Sequence, residues 1–414
     1  MTGIHRLRPG ADAMAGATGA SAVDLGNGIW MSPGWSNSYL LQTDEGRVVV
    51  NAGMGFEGPL HRRAYDAVDT SPVHSLVLTQ GHYDHVGGVD ALKDPETEVI
   101  AHANFHVWRD DNERLETFRS RNSAFAFIDA IIAAMDYARS VGVGTMAQAR
   151  PEPSVLVDER LSLTIGGRSL ELIATPGGET YDSMVLWLSD SRTLLCGNLF
   201  GPLFGHVPNL VTIRGDRYRD ALTYIDSIGL VLDLAPDQLM TGHFDPIVGA
   251  EVIAEEVSAL QEAMRWVHDR TVEGMNEGTD VYTLMRTIQL PKHLDLGEGY
   301  GQTKWNVRAI WENYNGWFHH RSTTELYGVA PLAIAADLVG AAGADALVAA
   351  AHERLGDAGA VEALQLTDIV LAVNPHHVAA LGVAIAAHEY LLDQTDNFWE
   401  QAWLRRAIAK LNKA

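Results

Sequence analysis

The sequence has few of the residues that would place the protein outside the cell or on a nucleic acid. It contains one cysteine, Cys196, among 414 residues, so no intrachain disulfide can form. A chain without disulfides fits a reducing compartment, and we expect a cytoplasmic protein. Basic residues are also scarce, with 30 Lys and Arg against 53 Asp and Glu and a formal net charge of -23. Because nucleic-acid binding depends largely on Lys and Arg that displace counterions from phosphates, this charge predicts no nucleic-acid partner.

Long apolar runs are absent as well. No window approaches the roughly 20 apolar residues that a membrane-spanning helix requires, so we expect no membrane partner. Residues 1–28 are rich in Ala and Gly, but they lack the basic start and the continuous apolar stretch of a secretory signal. With 47% hydrophobic and 20% charged residues, the chain has the composition of folded domains, and its length favours two domains or one large domain with an appendage.

The pattern of apolar residues changes once along the chain. Short β-branched runs alternate with turn signals and amphipathic stretches from residue 37 to about residue 248, which is typical of α/β layers. Within this part, residues from about 111 to 149 read as a helical insertion, which could cover a pocket or pack on the sheet. Later in the chain the strand signal fades, and helices are predicted at 345–355, 360–373 and 376–392. The sequence therefore predicts an α/β domain followed by an all-helical domain.

The strongest chemical signal is segment 79–88, Thr-Gln-Gly-His-Tyr-Asp-His-Val-Gly-Gly. His82, Asp84 and His85 follow directly after a short apolar strand and precede a pair of glycines. Two imidazoles and one carboxylate on a strand-end loop can converge on Zn²⁺, Mn²⁺ or Fe²⁺. The alternative is a hydrogen-bonded polar loop, which we disfavour because three potential ligands rarely crowd together by chance. The segment predicts a metal site.

This segment resembles the pattern Thr-His-x-His-x-Asp-His, followed by Gly-Gly, of the metallo-β-lactamase superfamily. Four further segments match that family in order and spacing. They are Asn-Ala-Gly at 51–53, Thr-Pro-Gly at 175–177, Gly-Asn at 197–198 and Gly-His at 242–243. The resemblance implies an αββα sandwich, and we place this catalytic domain at residues 1–255.

Within the superfamily, the chain is most similar to the alkylsulfatase-like branch. The shared segments are Thr-Pro-Gly-Gly-Glu at 175–179, Asn-Leu-Val-Thr-Ile-Arg-Gly at 209–215 and the aromatic-rich stretch 300–318. The last of these resembles the start of the helical dimerisation domain of that branch. The resemblance therefore implies that residues 256–414 form a dimerisation domain and that the protein is a homodimer.

The same resemblance assigns metal ligands by position. It implies that one metal lies on His82, Glu179 and the Gln80 position, and another on Asp84, His85 and His243, with Asp84 and His85 as the catalytic residues. The second set is intact, so we expect at least one ion there, whereas occupancy of the His82 and Glu179 side stays open, as does a single shifted ion that also recruits His82. The expected cofactor is one or two Zn²⁺ ions, with Mn²⁺ or Fe²⁺ compatible with the same donors.

Two positions depart from the family pattern. Gln80 stands where a histidine is expected, and an amide is a poorer zinc ligand than an imidazole. Asn198 replaces an acidic residue, which removes a negative charge that would balance two dications. We interpret both as weak or indirect ligands.

Likeness to the alkylsulfatases further implies that Arg214 binds the sulfate-type group of a small-molecule substrate, with Asn209 and Thr212 nearby. A guanidinium suits this role because its planar fork makes paired bonds to an oxyanion. The alternative is a surface salt bridge from Arg214 to Asp216 or Asp220.

These features predict a metal-dependent hydrolase of the alkylsulfatase-like group, which cleaves a sulfate-type or other ester bond by metal-activated water. The replacements at Gln80 and Asn198 keep a second hypothesis open. It is a single-metal lyase or ring-opening enzyme that uses the ion as a Lewis acid. A third hypothesis is a metal-free binding protein that retains the fold.

Overall fold

A computed structural model describes residues 3–144, 147–211 and 213–414 of the chain. It divides into two compact units, Met1–Tyr314 and Asn315–Ala414. The described residues of the first unit contain thirteen strands, β1 Val23–Asp24, β2 Ile29–Ser32, β3 Ser38–Thr43, β4 Gly46–Val50, β5 Val73–Val77, β6 Glu98–His102, β7 Val155–Val157, β8 Arg160–Ile165, β9 Arg168–Ala174, β10 Met184–Leu188, β11 Thr193–Gly197, β12 Gln238–Thr241 and β13 Ile247–Val248.

The α-helices of the described residues fall into two groups. The first group is α1 Gly58–Asp66, α2 Tyr83–Val86, α3 Val89–Leu92, α4 Phe105–Arg114, α5 Glu116–Ser123, α6 Ile128–Ser140, α7 Ala221–Leu234, α8 Ala250–Asn276, α9 Val281–Thr287 and α10 Thr303–Asn315. The second group is α11 Ala335–Ala342, α12 Ala344–Gly356, α13 Ala360–Val373, α14 Val378–Leu392 and α15 Phe398–Leu411. Short 3-10 helices are Ile4–Leu7, Ala11–Ala13, Ala124–Ala126 and Thr323–Leu326. None of these helices is long and apolar enough to cross a membrane.

The strands form two sheets. The seven-stranded sheet has the order β1-β2-β3-β4-β5-β6-β7, and the six-stranded sheet has the order β13-β12-β11-β10-β9-β8. Strands β4 to β7 run parallel, as do β11 and β12. The carboxyl ends of parallel strands meet at one edge of a sheet, so the loops that follow β4 and β5 lie side by side. This edge carries the candidate site.

Alternation along the strands explains the layers. In β3 and β4, Leu41, Val48 and Val50 pack between the sheets against residues such as Leu186 of β10. Their neighbour Val49 faces the opposite way, into a cluster with side chains of α1 to α3. Helices α7 and α8 pack on the outer face of the other sheet. Burial of each Leu, Ile or Val stabilises the fold by about 1.5–3 kcal/mol. Because both faces of each sheet carry such residues, both faces must be covered, and the layers follow in the order helix, sheet, sheet and helix. The predicted αββα sandwich is confirmed.

Three helices, α4 to α6, lie in the chain between the parallel strands β6 and β7. They begin at Phe105, before the predicted start of the insertion near residue 111. The physical reason is that Phe105 and Trp108, three residues apart, are both buried on one face of α4. On α6, Ala134 and Ala138 pack with Phe56 and with Leu60 of α1, so the small residues of this helix hold it against α1.

The second unit consists of helices joined by short turns. Its core is rich in alanine, including Ala351, Ala363 and Ala380, and small side chains let neighbouring helices approach closely. Asn397 caps α15, because its side chain accepts hydrogen bonds from the backbone N–H groups of Trp399 and Glu400. The prediction of an all-helical C-terminal part is confirmed. The predicted domain boundary at 255/256 falls inside α8, and the division into domains 1–255 and 256–414 stays a prediction about function.

Candidate metal and substrate site

The loop after β5 is held by the loop after β4. The backbone of Asn51 has a positive φ of 60°. Its side-chain oxygen accepts hydrogen bonds from both the backbone N–H and the hydroxyl of Thr79, each at 3.0 Å. Gly88 must be glycine here, because a Cβ would overlap the Ala52 carbonyl oxygen. The two loops are therefore packed too closely for the segment between Thr79 and Gly88 to move independently.

Asp84, His85 and His243 come together at this edge. Asp84 and His85 lie on α2, and His243 follows β12. The Asp84 Oδ2 atom is 3.5 Å from His85 Nε2 and 3.8 Å from His243 Nε2. Among the described residues, this is the group of three His, Cys, Asp or Glu residues whose ligand atoms all lie within 4.8 Å of one another.

Hydrogen bonds fix the tautomer of each ring. His243 Nδ1 donates to the Trp35 carbonyl oxygen at 2.6 Å, so its lone pair is on Nε2, which lies 3.1 Å from the neutral amide nitrogen of Asn198. His85 Nδ1 is 3.2 Å from the Ser36 hydroxyl, which can accept its proton in the same way. Such outer contacts orient histidine ligands in metal sites.

The trio fits a divalent cation. The separations of 3.5 and 3.8 Å between Asp84 Oδ2 and the two Nε2 atoms are near the value of about 3.4 Å expected for ligands about 2.1 Å from a tetrahedral ion. Burial lowers the pKa of His85, although Asp84 opposes the shift. His85 is therefore neutral near pH 7, which is the state a metal ligand requires.

The other half of the predicted ligand set is engaged differently. His82 Nε2 is 2.7 Å from Arg214 Nη2, and His82 Nδ1 is 2.9 Å from the Gln80 amide nitrogen. The Glu179 carboxylate accepts a 2.6 Å hydrogen bond from Asn198 and lies 3.5 Å from Arg214. The structure thus brings Gln80, His82, Glu179 and Asn198 together, but around a guanidinium.

Arg214 belongs to the candidate site and also forms a partly buried ion pair. Its Nε donates to Asp216 at 2.8 Å, and Asp216 also pairs with Arg119 at 2.9 Å. Burial lowers the pKa of Arg214, but Asp216 and Glu179 outweigh it and raise that pKa above its ordinary value. Burial would likewise raise the pKa of Asp216, and the two arginines hold it below its ordinary value. Of the two predicted partners for Arg214, Asp216 is therefore present, but in the interior and not on the surface.

A cavity of about 280 Å³ opens next to these residues. The described residues that line it are Met14, Trp35, Met54, His82, Tyr83, Asp84, Trp108, Asn112, Glu116, Arg119, Ser120, Ser123, Ala124, Phe127, Ile131, Glu179, Asn198, Pro202, Arg214, Asp216, His243 and Tyr300. Residues of α4 to α6 and of the short turns between them supply one wall, so the helical insertion does contribute to a pocket.

The predicted substrate residues are only partly brought to this cavity. Arg214 lines it, whereas Asn209 is buried and is not one of the described residues that do so. The Asn209 backbone oxygen accepts a hydrogen bond from Arg219. Thr212 lies outside the described residues.

Several lining residues were missed by sequence reasoning. Trp35 and Met54 stand on loops before β3 and after β4, where no periodic pattern marks them. Arg119 was visible as a cation on a helix, but a solvated helix face is the ordinary place for such a residue. Its position over the Trp108 ring, 5.1 Å from the centroid, depends on tertiary contacts.

Comparison with known proteins agrees with this geometry. Residues 32–243 match the family model described as the metallo-beta-lactamase superfamily, and residues 282–413 match the one described as alkyl sulfatase dimerisation. A linear primary-alkylsulfatase of a Pseudomonas species is 26% identical over 297 residues, covering 67% of this chain and 56% of that protein. An alkyl/aryl-sulfatase of Saccharomyces cerevisiae is 24% identical over 358 residues, covering 81% of this chain and 55% of that protein. The chain thus spans about half the length of these curated relatives.

A solved structure shares the fold over nearly the whole chain. It is that of the stereoselective inverting sec-alkylsulfatase Pisa1 from a Pseudomonas species, with a TM-score of 0.82, 21% identity and coverage of 95% of this chain and 66% of that chain. The superfamily match covers half of the chain and contains β3 to β12, segment 79–88 and His243. This chain therefore belongs to the metallo-β-lactamase superfamily.

Proposed function

We propose that the protein is a metal-dependent hydrolase of the alkylsulfatase-like group, which cleaves a sulfate-type or other oxyanion ester of a small organic molecule. The observation that carries the proposal is the convergence of Asp84, His85 and His243, two of which, Asp84 and His243, line a cavity that also has apolar lining residues. The curated relatives are alkylsulfatases by name, which supports the same reaction class.

Asp84, His85 and His243 would hold the ion, and zinc is the metal that this donor set favours. Bound there, a divalent cation would lower the pKa of coordinated water to roughly 7 and so supply a nucleophile at neutral pH. The chain's own contribution is to orient both imidazoles, through Ser36 and the Trp35 carbonyl. Asp84, which lines the cavity together with His243, would also orient the reacting oxygen.

Arg214 would bind the oxyanion of the substrate. It lines the cavity, and its Nε is fixed by Asp216, so the rest of the guanidinium is held in one orientation. A fixed planar donor suits a tetrahedral oxyanion better than a mobile ammonium does. Arg119 adds a second positive charge on the other side of Asp216.

The apolar wall would take the organic group of the ester. Trp35, Met54, Phe127 and Ile131 face the cavity from loops and from the α5–α6 region. Burying apolar surface contributes about 25 cal/mol per Å². An alkyl chain on the ester therefore gains affinity in proportion to the part that this wall covers.

We also infer a homodimer formed through residues 282–413. The match of this segment to the alkyl sulfatase dimerisation family supports it. In the second unit, Trp317, Tyr327 and Val329 are 69%, 68% and 67% exposed, so large apolar side chains are available there for contact with a second copy. In this proposal residues 1–255 are the catalytic domain, residues 256–414 the dimerisation domain, and the single buried Cys196 supports a cytoplasmic location.

A second candidate function is a single-metal lyase or ring-opening enzyme. The observation that favours it is Asn198, which presents an N–H group to Glu179 and His243 where an acidic ligand would offer a lone pair. Reaction in ¹⁸O-labelled water separates the two functions. A hydrolase must place the label in the alcohol or in the released oxyanion, and a lyase leaves both unlabelled.

The main test measures metal content and turnover together. The purified chain is analysed for bound metal and assayed with alkyl sulfates, lactones and phosphodiesters. We expect His85→Ala and His243→Ala to lose both metal and oxyanion release. His268→Ala is the matched control, because His268 is a buried histidine of α8 that does not line the cavity. Sulfate release that survives both site substitutions would overturn the proposal.

A further inference from the structure

His82 has no lone pair left for a metal on the Glu179 side. A guanidinium has donors and no acceptor, so His82 Nε2 must accept the 2.7 Å hydrogen bond from Arg214. A neutral imidazole has one accepting nitrogen, and its other nitrogen, Nδ1, then carries the proton.

The neighbour of Nδ1 is the Gln80 amide. A protonated Nδ1 needs an acceptor, and the requirement is met when the amide presents its oxygen and not its nitrogen at the 2.9 Å contact. That orientation also gives a partner to Gln80 Oε1, a buried atom that has no hydrogen-bond partner in the opposite orientation. Both ring nitrogens of His82 are then satisfied by protein groups.

Glu179 and Asn198 are engaged as well. Glu179 Oε2 accepts the Asn198 amide N–H at 2.6 Å, and its Oε1 faces Arg214 at 3.5 Å. A charge-assisted bond of that length fixes the Asn198 amide with its nitrogen toward the site. Asn198 therefore offers a donor where a second metal would need a ligand.

Arginines compensate the carboxylates on this side without a second dication, and Arg219 adds a third guanidinium that interacts with Glu179 and Asp216. On this side the carboxylates of Glu179 and Asp216 face the guanidinium groups of Arg214 and Arg119. A dication beside Arg214 would meet a like charge in a buried setting, where repulsion is poorly screened.

We propose that the site holds one metal ion, at Asp84, His85 and His243, and that the Arg214 guanidinium takes the place of a second ion. The inference rests on the proposed metal-dependent function and specifies its stoichiometry. Arg214 then serves two roles, because it satisfies His82 and Glu179 and also presents a positive charge to the anionic substrate. His82 and Glu179 become positioning residues for Arg214.

The direct test is metal content per chain, measured by elemental analysis of the full-length protein after saturation with Zn²⁺ and removal of free metal. The wild type should retain one ion, His82→Ala should still retain one, and His85→Ala should retain none. Two ions in the wild type would overturn the inference and leave the proposed hydrolase intact. No ion in the folded wild type would instead overturn the proposed function. Loss of the ion in His82→Ala, with retention in His85→Ala, would place the ion on the His82 and Glu179 side and would overturn the inference.

A second test rebuilds the missing half-site. The triple variant Gln80→His, Asn198→Asp and Arg214→Met supplies an imidazole and a carboxylate and removes the guanidinium, so we expect its metal content to rise from one ion to two. Arg214→Met alone should stay at one. A folded triple variant that still takes up one ion would show that these three residues are not what excludes the second. Thermal melting checks folding, and a variant that does not fold leaves the decision to the first test.

Discussion

The two halves of the site contain the same types of residue and are prepared for different partners. On one side, His85 and His243 turn their Nδ1 protons to Ser36 and to a backbone carbonyl, and their Nε2 atoms lie 3.5 and 3.8 Å from Asp84. On the other side, His82 directs its lone pair at Arg214. The presence of a histidine or a carboxylate is therefore not enough to predict a metal half-site, because the groups that face the lone pairs differ: a carboxylate and a neutral amide on one side, and a guanidinium on the other.

Removing one histidine from each half should give the largest difference in kcat/KM between the two halves. His85→Ala should lower kcat/KM by about 10³-fold, since a metal contributes several kcal/mol to the transition state. His82→Ala should lower it by about 10-fold, because it loosens Arg214 without removing a ligand. Sulfate release is the measurement, with melting temperatures as the folding control. Equal losses in the two variants would contradict the distinction.

Changing the cation of the second half should have the next largest effect. Arg214→Met should lower kcat/KM for alkyl sulfates by about 10²-fold, since hydrogen bonds to charged groups contribute about 1.5–3 kcal/mol each. Arg214→Lys keeps the charge without the planar fork, so part of the activity should return.

The matched control for this change is Arg217→Met, because Arg217 pairs with Asp111 and does not line the cavity. It should leave kcat/KM unchanged. If Arg214→Met acts equally on a neutral lactone and on an alkyl sulfate, then Arg214 does not recognise the oxyanion.

The outer contact of the first half can be weakened without touching a ligand. Ser36→Ala removes the acceptor of the His85 Nδ1 proton, and such changes lower metal affinity by about 10- to 100-fold. Ser32→Ala is its matched control, because Ser32 is also buried and bonds a histidine, His61, outside the cavity. Competition with a chromophoric chelator gives both affinities. Identical affinities in the two variants would exclude this role for Ser36.

The smallest effect is expected at the apolar wall, which neither half-site controls. Ile131→Ala should weaken binding of long-chain alkyl esters by about 5-fold, from about 1 kcal/mol of lost burial. Ile132→Ala is the control on the same helix, since Ile132 is 48% exposed and does not line the cavity. The KM values for short and long alkyl chains measure the effect. A loss that is independent of chain length would argue against contact between this wall and the organic group.

Sequence reasoning reached the parts of the site that are local in the chain. The strand before segment 79–88 and the crowding of His82, Asp84 and His85 predicted a polar loop at the end of a buried strand, and the fold class that went with it is confirmed. The assignment of individual ligands rested on the family resemblance. The structure adds that Asp84, His85 and His243 converge, while their role stays a prediction.

The features of the site that the sequence did not predict depend on contacts between residues far apart in the chain. Arg214 lies 132 positions after His82, and nothing in either segment indicates that their nitrogens are 2.7 Å apart. The sequence predicted that Arg214 either binds the substrate or forms a salt bridge, for example with Asp216. In the structure, its guanidinium both lines the cavity and pairs with Asp216. The side-chain direction at Asn209 is likewise a tertiary property, which is why its position in a motif did not bring it to the cavity.

The most direct measurement is a titration of the metal-free protein with Zn²⁺ while sulfate release from a long-chain alkyl sulfate is followed. Metal-dependent hydrolysis at a single ion predicts no activity before metal is added, a linear rise, and a plateau at one equivalent per chain. Full activity in the folded, metal-free protein would contradict metal dependence, and a plateau at two equivalents would contradict the single-ion site.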